Sequence, residues 1–246
     1  MEMTNMWTLI KHEFKTHGTQ PILYLILGIM GLLQVFLTTI MIKTTDTVSI
    51  QGSYIQTVFQ TNNAIFLSNS IIFIFSVGAV IGYYIISVEY QNNTWEMLLL
   101  GTGSKSKVLW AKYIVSTLYY LSYQVLFYSL FLLVQSTYFN LQIEISFSLL
   151  MLVSIMFLSL VLFTAQIACH YLIKNGTTAI ACAVGFLIML VILPSTDLFR
   201  YVIRLLTPGY LAGLDEFSVT GFVSVVALNI IVASSMMSLV VKQFKL

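Results

Sequence analysis

The chain has 246 residues, of which 59% are hydrophobic and only 8% are charged, and its mean hydropathy is +0.93. A composition this apolar excludes an ordinary soluble domain and predicts a polytopic membrane protein. The net charge of +2 gives no argument for nucleic-acid binding. The two cysteines, Cys169 and Cys182, have a spacing that indicates neither a disulfide framework nor a metal site.

The N-terminal residues carry an amphipathic pattern. Apolar residues recur there at the spacing of one helix face, and lysines and a glutamate lie elsewhere on the helix. We therefore expect residues 1–18 to form an interfacial helix on the inner leaflet of the membrane. The alternative is a polar leader whose apolar residues fall together by chance. The residues of the apolar face are Met3, Met6, Trp7, Ile10 and Phe14.

Six apolar runs approach or exceed the roughly 20 residues that a helix needs to cross a bilayer. No internal repeat or long linker separates a second domain, so we expect residues 1–246 to form a single all-α membrane domain of six spans. The fifth run is short for a span. The runs are approximately Pro21 to Ile42, Ala64 to Val88, Tyr113 to Val134, Phe147 to Ile173, Thr177 to Leu193 and Val219 to Val241.

The distribution of basic residues predicts the orientation, because cytoplasmic loops carry an excess of lysine and arginine. With the N-terminus inside, eight basic residues are cytoplasmic and three are outside. The reverse orientation would exchange these numbers, so we expect both termini in the cytoplasm. The outer three are Lys43, Arg200 and Arg204, and the inner eight are Lys11, Lys15, Lys105, Lys107, Lys112, Lys174, Lys242 and Lys245.

No acidic or basic residue lies well inside any predicted span. Carriers coupled to ions or protons usually place an ionisable group at membrane depth, so this class is disfavoured. It nevertheless stays the main alternative to an ATP-driven transporter, and a non-transporting scaffold or sensor is a further one. Polar residues in the spans most often serve helix packing. As candidates for a substrate path we select Tyr119, Tyr120, Tyr123, Gln124 and Asn229.

No catalytic motif is recognisable in the sequence. The run Gly101 to Ser106 superficially resembles a phosphate-binding loop, but Ser104 precedes Lys105 where that motif requires glycine, and Leu99 stands at the upstream glycine position. A metalloprotease pattern is also absent. We therefore expect no enzymatic activity, no bound cofactor and no metal in this chain.

The segment from Glu89 to Lys112, EYQNNTWEMLLLGTGSKSKVLWAK, lies between the second and third spans. It resembles the loop between spans two and three of type-2 ABC exporter permeases, the ABC-2 family. The residues that carry the resemblance are Glu89, Thr94, Glu96, Leu98, Leu99, the turn Gly101 to Gly103, Lys105, Lys107 and Lys112. The chain departs from that pattern at Asn93, where the family has glycine, and at Gly103, where it has proline.

This resemblance implies a permease that dimerises, with an identical chain or a paralogue, and binds two ABC ATPase subunits, which hold ATP and magnesium. Residues 89–108 would contain a coupling helix that receives the motion of the ATPase, with an ordinary amphipathic loop as the alternative. Trp95 adds to the apolar surface of this helix. The coupling residues are then Glu89, Thr94, Trp95, Glu96, Leu98, Leu99, Lys105 and Lys107.

Residues 194–216, between the fifth and sixth spans, combine a charged stripe with an apolar face. Both features indicate a short helix, and Pro208 and Gly209 predict where that helix ends. In the resembling family this region forms short re-entrant helices that close the outer end of the pathway, and an ordinary outer loop is the alternative. The candidate gate residues are Asp197, Phe199, Arg200, Val202 and Arg204.

The cargo is the least constrained part of this interpretation. The richness in aromatic residues and the lack of outer domains favour an amphipathic or hydrophobic substrate. Small permeases of this kind resemble bacterial exporters of antimicrobial or cytolytic peptides, including lantibiotic-immunity and phenol-soluble-modulin transporters. The resemblance therefore implies export of such a peptide across a bacterial plasma membrane.

Overall fold

The computed structural model describes residues 5–18, 20–45, 54–102, 104–192 and 219–244. All regular secondary structure in these ranges is helical, which confirms the all-α prediction. The helices are α1 (Met6–His17), α2 (Pro21–Thr45), α3 (Tyr54–Gly82), a π-helical segment (Tyr83–Ser87), α4 (Val88–Gln91), α5 (Trp95–Thr102), α6 (Lys105–Thr137), α7 (Ile145–Leu158), α8 (Leu160–Leu172), α9 (Gly176–Ile192) and α10 (Val219–Gln243).

Five helical stretches within the described residues are long and apolar enough to cross a membrane, one fewer than the six predicted. The difference lies at the fifth predicted span, because α9 is described over only 17 residues and its qualifying part is the shorter helix Gly176–Met189. The five are Pro21–Thr44, Val58–Gln91, Lys105–Thr137, Ile145–Leu172 and Phe222–Gln243.

The third span begins earlier than the sequence predicts. Apolar length alone places its start near Tyr113, whereas α6 begins at Lys105 and is preceded by Ser104 in an extended backbone conformation. Neither glycine nor proline occurs between Lys105 and Tyr113, so nothing in the local sequence stops the helix there. The lysines of the predicted loop therefore lie on the first turns of a membrane-spanning helix.

Helix α3 occupies the centre of the bundle. It packs against α2, α6, α8 and α9, and α10 packs mainly against α8. Of its most apolar window, 61% is buried, compared with 28–44% for the other four membrane-spanning stretches. Helix α2, in contrast, exposes a row of large aliphatic side chains, as expected for a surface that faces lipid or another membrane protein.

Side-chain hydrogen bonds connect the helices where their faces meet. Gln34 of α2 donates to Ser70 of α3 at 3.0 Å and accepts from Tyr123 of α6 at 2.9 Å. Further along, Asn62 donates to Gln135 at 3.0 Å. In a bilayer each such bond is worth about 0.6 kcal/mol on average. Their main contribution is therefore to fix which faces of the helices meet.

Helices α3 and α8 approach closely at Gly82. A methyl group built on Gly82 would lie 2.4 Å from Cδ2 of His170, whose ring is held by a 2.8 Å contact between its Nδ1 and Oγ of Ser87. Gly28 on α2 has no atom within 4 Å of the equivalent position. The two glycines therefore form a matched pair for substitution.

We expect Gly82→Ala to destabilise the protein by about 1–3 kcal/mol, the usual cost of overpacking a filled core. Gly28→Ala is expected to be neutral or slightly stabilising, because alanine favours a helix by roughly 1 kcal/mol relative to glycine. Thermal unfolding in detergent measures both. Equal melting temperatures for the two variants would show that α3 and α8 are not in close contact at this point.

Candidate functional site

A buried lysine joins several elements at one end of the bundle. Lys112, two turns into α6, is fully buried. Its Nζ donates to Oε2 of Glu13 at 2.7 Å, to Oε1 of Glu89 at 2.8 Å and to the carbonyl oxygen of Ile85 at 3.3 Å. These acceptors belong to α1, α4 and the π-helical segment. A buried ammonium requires such partners, and here they hold three elements against α6.

Glu13 and His17 lie one turn apart on α1, and both are buried. His17 Nε2 lies 3.2 Å from Glu13 Oε2, the oxygen that also accepts from Lys112. Burial raises the pKa of Glu13, but the hydrogen bond with His17 and the charge and hydrogen bond of Lys112 outweigh it, so the net pKa is lowered. Glu13 is therefore ionised at neutral pH. We call Glu13, His17, Glu89 and Lys112 the ion cluster.

The ion cluster contains groups that also bind metals. The ligand atoms of Glu13, His17 and Glu89 lie within 4.8 Å of one another. However, the Lys112 ammonium already contacts both carboxylates and supplies a positive charge. A metal ion there would meet a like charge, so the donor set does not suit one. We interpret the ion cluster as a joint between helices.

The π-helical segment contributes to this joint from the end of α3. The backbone N–H of Val88 bonds to the carbonyl of Tyr83, five residues earlier, which is the π-helical pattern. Within the segment, the carbonyl of Ile85 accepts from Lys112 and the hydroxyl of Ser87 contacts His170 of α8. The segment thus connects α3 to both α6 and α8.

Beside the ion cluster, three aromatic residues pack around Trp95, the first residue of α5. We call Tyr90, Trp95, Tyr171 and Phe244 the ring cluster. The ring of Trp95 lies 5.4 Å from that of Tyr90, 6.4 Å from that of Tyr171 and 5.1 Å from that of Phe244. Lys112 Nζ lies 5.8 Å from the Trp95 ring centre, so this tryptophan contacts both clusters.

One face of α5 points away from the bundle. Met97 and Leu100 are 75% and 76% exposed, and Glu96 is also exposed. Leu98 and Leu99 are partly buried. The predicted coupling residue Trp95 differs from them. Only 2% of its surface is exposed, and its ring packs against the other rings of the ring cluster. Helix α5 therefore has a buried first residue and an exposed apolar face.

The turn before α5 explains a departure from the family pattern. Asn93 has a φ of 54°, in the left-handed region. Glycine adopts this conformation freely, and asparagine is among the few other residues that tolerate it. Asn93 therefore adopts a conformation that glycine, the residue of the family pattern, also adopts readily. Gly103, the other departure, lies outside the described residues.

The other predicted coupling residues are placed within the chain. Thr94 Oγ1 donates to the carboxylate of Glu89, which also binds Lys112. Lys105 donates from Nζ to the carbonyl oxygen of Phe244 and stands 5.3 Å from its ring centre. Lys107 is partly buried on the first turn of α6. Glu89 and Lys105 thus bind groups of this chain itself.

The candidate substrate-path residues lie inside this chain's bundle. Tyr119 stacks on Phe14 of α1, with ring centres 5.3 Å apart. Tyr120 hydrogen-bonds to Ser159 and stacks on Phe163 of α8. Tyr123 donates to Gln34, as described above. Gln124 and Asn229 are also buried. Three of the five residues thus contact other helices in this structure, and the other two are buried.

The candidate gate residues Asp197, Phe199, Arg200, Val202 and Arg204 lie outside the described residues, as does the whole segment 194–216. Sequence reasoning also missed residues of the ion cluster and the ring cluster that the structure does describe. It did not select Glu13, His17 or Phe244. For the first two a pattern was present, since a glutamate and a histidine four residues apart share a helix face. For Phe244 no local pattern exists.

The sequence is similar to that of a known protein family. The model of a family described as ABC-2 family transporter protein matches residues 9–192. The match runs from the middle of α1 to the end of α9, and therefore includes the ion cluster, α5 and most of the ring cluster. No curated protein sequence matches the chain.

Proposed function

Since this chain belongs to the ABC-2 family of transporter proteins, we propose that it is the permease subunit of an ATP-driven exporter. Members of the family are membrane components of ABC transporters and work with ABC ATPase subunits. The family match and the five membrane-spanning stretches make the chain a multi-pass membrane component of such a transporter. The finer proposal concerns how it receives energy and what it moves.

The observation that carries the proposal is the construction of α5. This short helix lies between two membrane-spanning stretches, its first residue is held by the ring cluster, and one of its faces exposes Met97 and Leu100. An exposed apolar face on a firmly held short helix is suited to insertion into a cleft of a partner, where buried apolar anchors dominate the binding energy. We therefore propose that α5 is the coupling helix.

The charged residues of the membrane-spanning stretches support an ATP-driven mechanism over an ion-coupled one. Within the described residues, they all lie near the ends of these stretches, and the ion-coupled class normally requires such groups at membrane depth. They are Lys43, Glu89, Lys105, Lys107, Lys112 and Lys242.

The complete transporter, in this proposal, contains two six-span permease subunits and two ATPases, with α5 and both termini on the cytoplasmic side of a bacterial plasma membrane. The lysine distribution supports the orientation. The aromatic and aliphatic surfaces support an amphipathic or hydrophobic cargo, such as an antimicrobial or cytolytic peptide, that moves outward. By resemblance to the family, the segment 194–216 of this chain would close the outer end of the substrate path.

Copurification tests the proposal. We expect the tagged chain, extracted gently from its host, to bring down an ABC ATPase that contains a phosphate-binding loop and hydrolyses ATP, whereas the chain alone hydrolyses none. The double variant Met97→Asp with Leu100→Asp should lower the recovered ATPase roughly tenfold or more, because interface anchors contribute about 2 kcal/mol or more each.

A matched control is Ile143→Asp, an exposed apolar residue beyond the opposite end of α6. It should leave recovery of the ATPase unchanged at equal expression. Equal recovery from both variants would show that α5 does not bind the ATPase. Absence of any ATPase from wild-type preparations would overturn the function itself and favour an ion-coupled carrier or a scaffold.

A further inference from the structure

Phe244 follows the last turn of α10 and remains fixed to it, since its backbone N–H donates to the carbonyl of Val240 at 2.8 Å. Its side chain is only 3% exposed. Helix α10 otherwise packs mainly against α8, α7 and α6. Phe244 therefore carries the end of α10 into contact with a part of the molecule that the helix itself does not principally contact.

The surroundings of Phe244 come from four elements. Its ring lies 5.1 Å from Trp95 of α5, 6.2 Å from Tyr90 of α4 and 6.3 Å from Tyr171 of α8. Lys105 of α6 binds its carbonyl oxygen and stands over its ring. Tilted and edge-to-face ring pairs at these distances are attractive beyond the area that they bury. The contact is therefore directional as well as apolar.

We propose that Phe244 is a positioning residue that couples α10 to the movement of α5 during the ATPase cycle. This inference rests on the proposed function of α5 as the coupling helix. The covalent chain connects α5 only to α4 and α6, so motion of α5 reaches α3 and α6 directly. It reaches α10 through the packing of α6 and α8 against that helix and, most directly, through the contact of Trp95 with Phe244. Because Tyr90 and Tyr171 pack around the rings of Trp95 and Phe244, the four rings of the ring cluster move as one packed unit.

The prediction concerns the distance between α5 and α10. Spin labels at Asn92, in the turn that leads into α5, and at Leu239, both exposed, report this distance in the ATPase complex after Cys169 and Cys182 are replaced by serine. In the otherwise wild-type complex, we expect the same narrow distance distribution without nucleotide and with ATP and vanadate. In Phe244→Ala we expect a broader distribution whose centre shifts between the two states, together with loss of transport-linked ATP hydrolysis.

Phe244→Tyr keeps the ring and should restore the wild-type distribution, and Ile231→Ala, an exposed position of α10, serves as the neutral control. An unchanged distribution in Phe244→Ala would overturn the inference, as would a wild-type distance that already shifts with nucleotide. These failures are distinct from failure of the proposed function, in which no ATPase complex is recovered from the wild-type chain. If Phe244→Ala does not fold, Phe244→Leu, which retains volume without a ring, gives the same comparison.

Discussion

Replacing Lys112 with methionine is expected to destabilise the protein by about 3–5 kcal/mol, the usual cost of removing one partner from a buried ion pair. Methionine retains most of the side-chain length but leaves Glu13 and Glu89 facing one another without the ammonium between them. Both carboxylates then lose a hydrogen-bond donor. Thermal unfolding in detergent and the yield of monodisperse protein measure the loss.

Two further variants separate charge from packing. Adding Glu13→Gln and Glu89→Gln to Lys112→Met removes the unpaired charges and should recover much of the lost stability, because a neutral cluster of similar volume has no such charge to bury. Lys242→Met, at an exposed position, is the control and should change stability by less than about 0.5 kcal/mol. A Lys112→Met protein as stable as the control would show that the buried pairs are absent.

Trp95→Ala is expected to cost about 3–5 kcal/mol, as large aromatic truncations do in a packed core. The indole contacts three other rings and lies beside the Lys112 ammonium, so its removal opens a cavity shared by the ring cluster and the ion cluster. Trp95→Phe should cost less, because a ring still fills part of that space. Detergent melting temperatures measure both changes.

Met97→Ala is the matched control for Trp95→Ala, since it lies on the same helix two residues away and is 75% exposed. It should leave the melting temperature of the isolated chain unchanged. The contrast between buried Trp95 and exposed Met97 is the basis of this prediction. If both substitutions lower the melting temperature equally, α5 does not rest on the ring cluster.

The membrane-spanning stretches were predictable because apolar length is a local property of the sequence. Five of the six predicted runs coincide with long apolar helices, and a short helix, α5, lies inside the predicted segment 89–108. The ends were less predictable. The start of α6 at Lys105 depends on helix continuation beyond the apolar run, and hydropathy does not report that.

The ion cluster was not predictable from the same information. Lys112 is 99 positions from Glu13 and 23 from Glu89 along the chain, and no periodicity relates residues on separate helices. The sequence placed all three near the same membrane surface but did not pair them with one another. Their pairing depends on how α1 and the π-helical segment pack against α6, which only the folded chain determines.

The π-helical segment has a consequence for relatives whose chains differ in length. Each residue of an α-helix advances the direction of its side chain by about 100°, and a π turn accommodates one residue more than an α turn does. The additional residue within Tyr83–Ser87 is thus absorbed locally, and Glu89 keeps the direction it would have in a regular helix one residue shorter. A relative with a single deletion here can present the same glutamate to the same lysine, provided that its helix is regular. An alignment that ignores this insertion would pair the wrong residues from Val88 onwards.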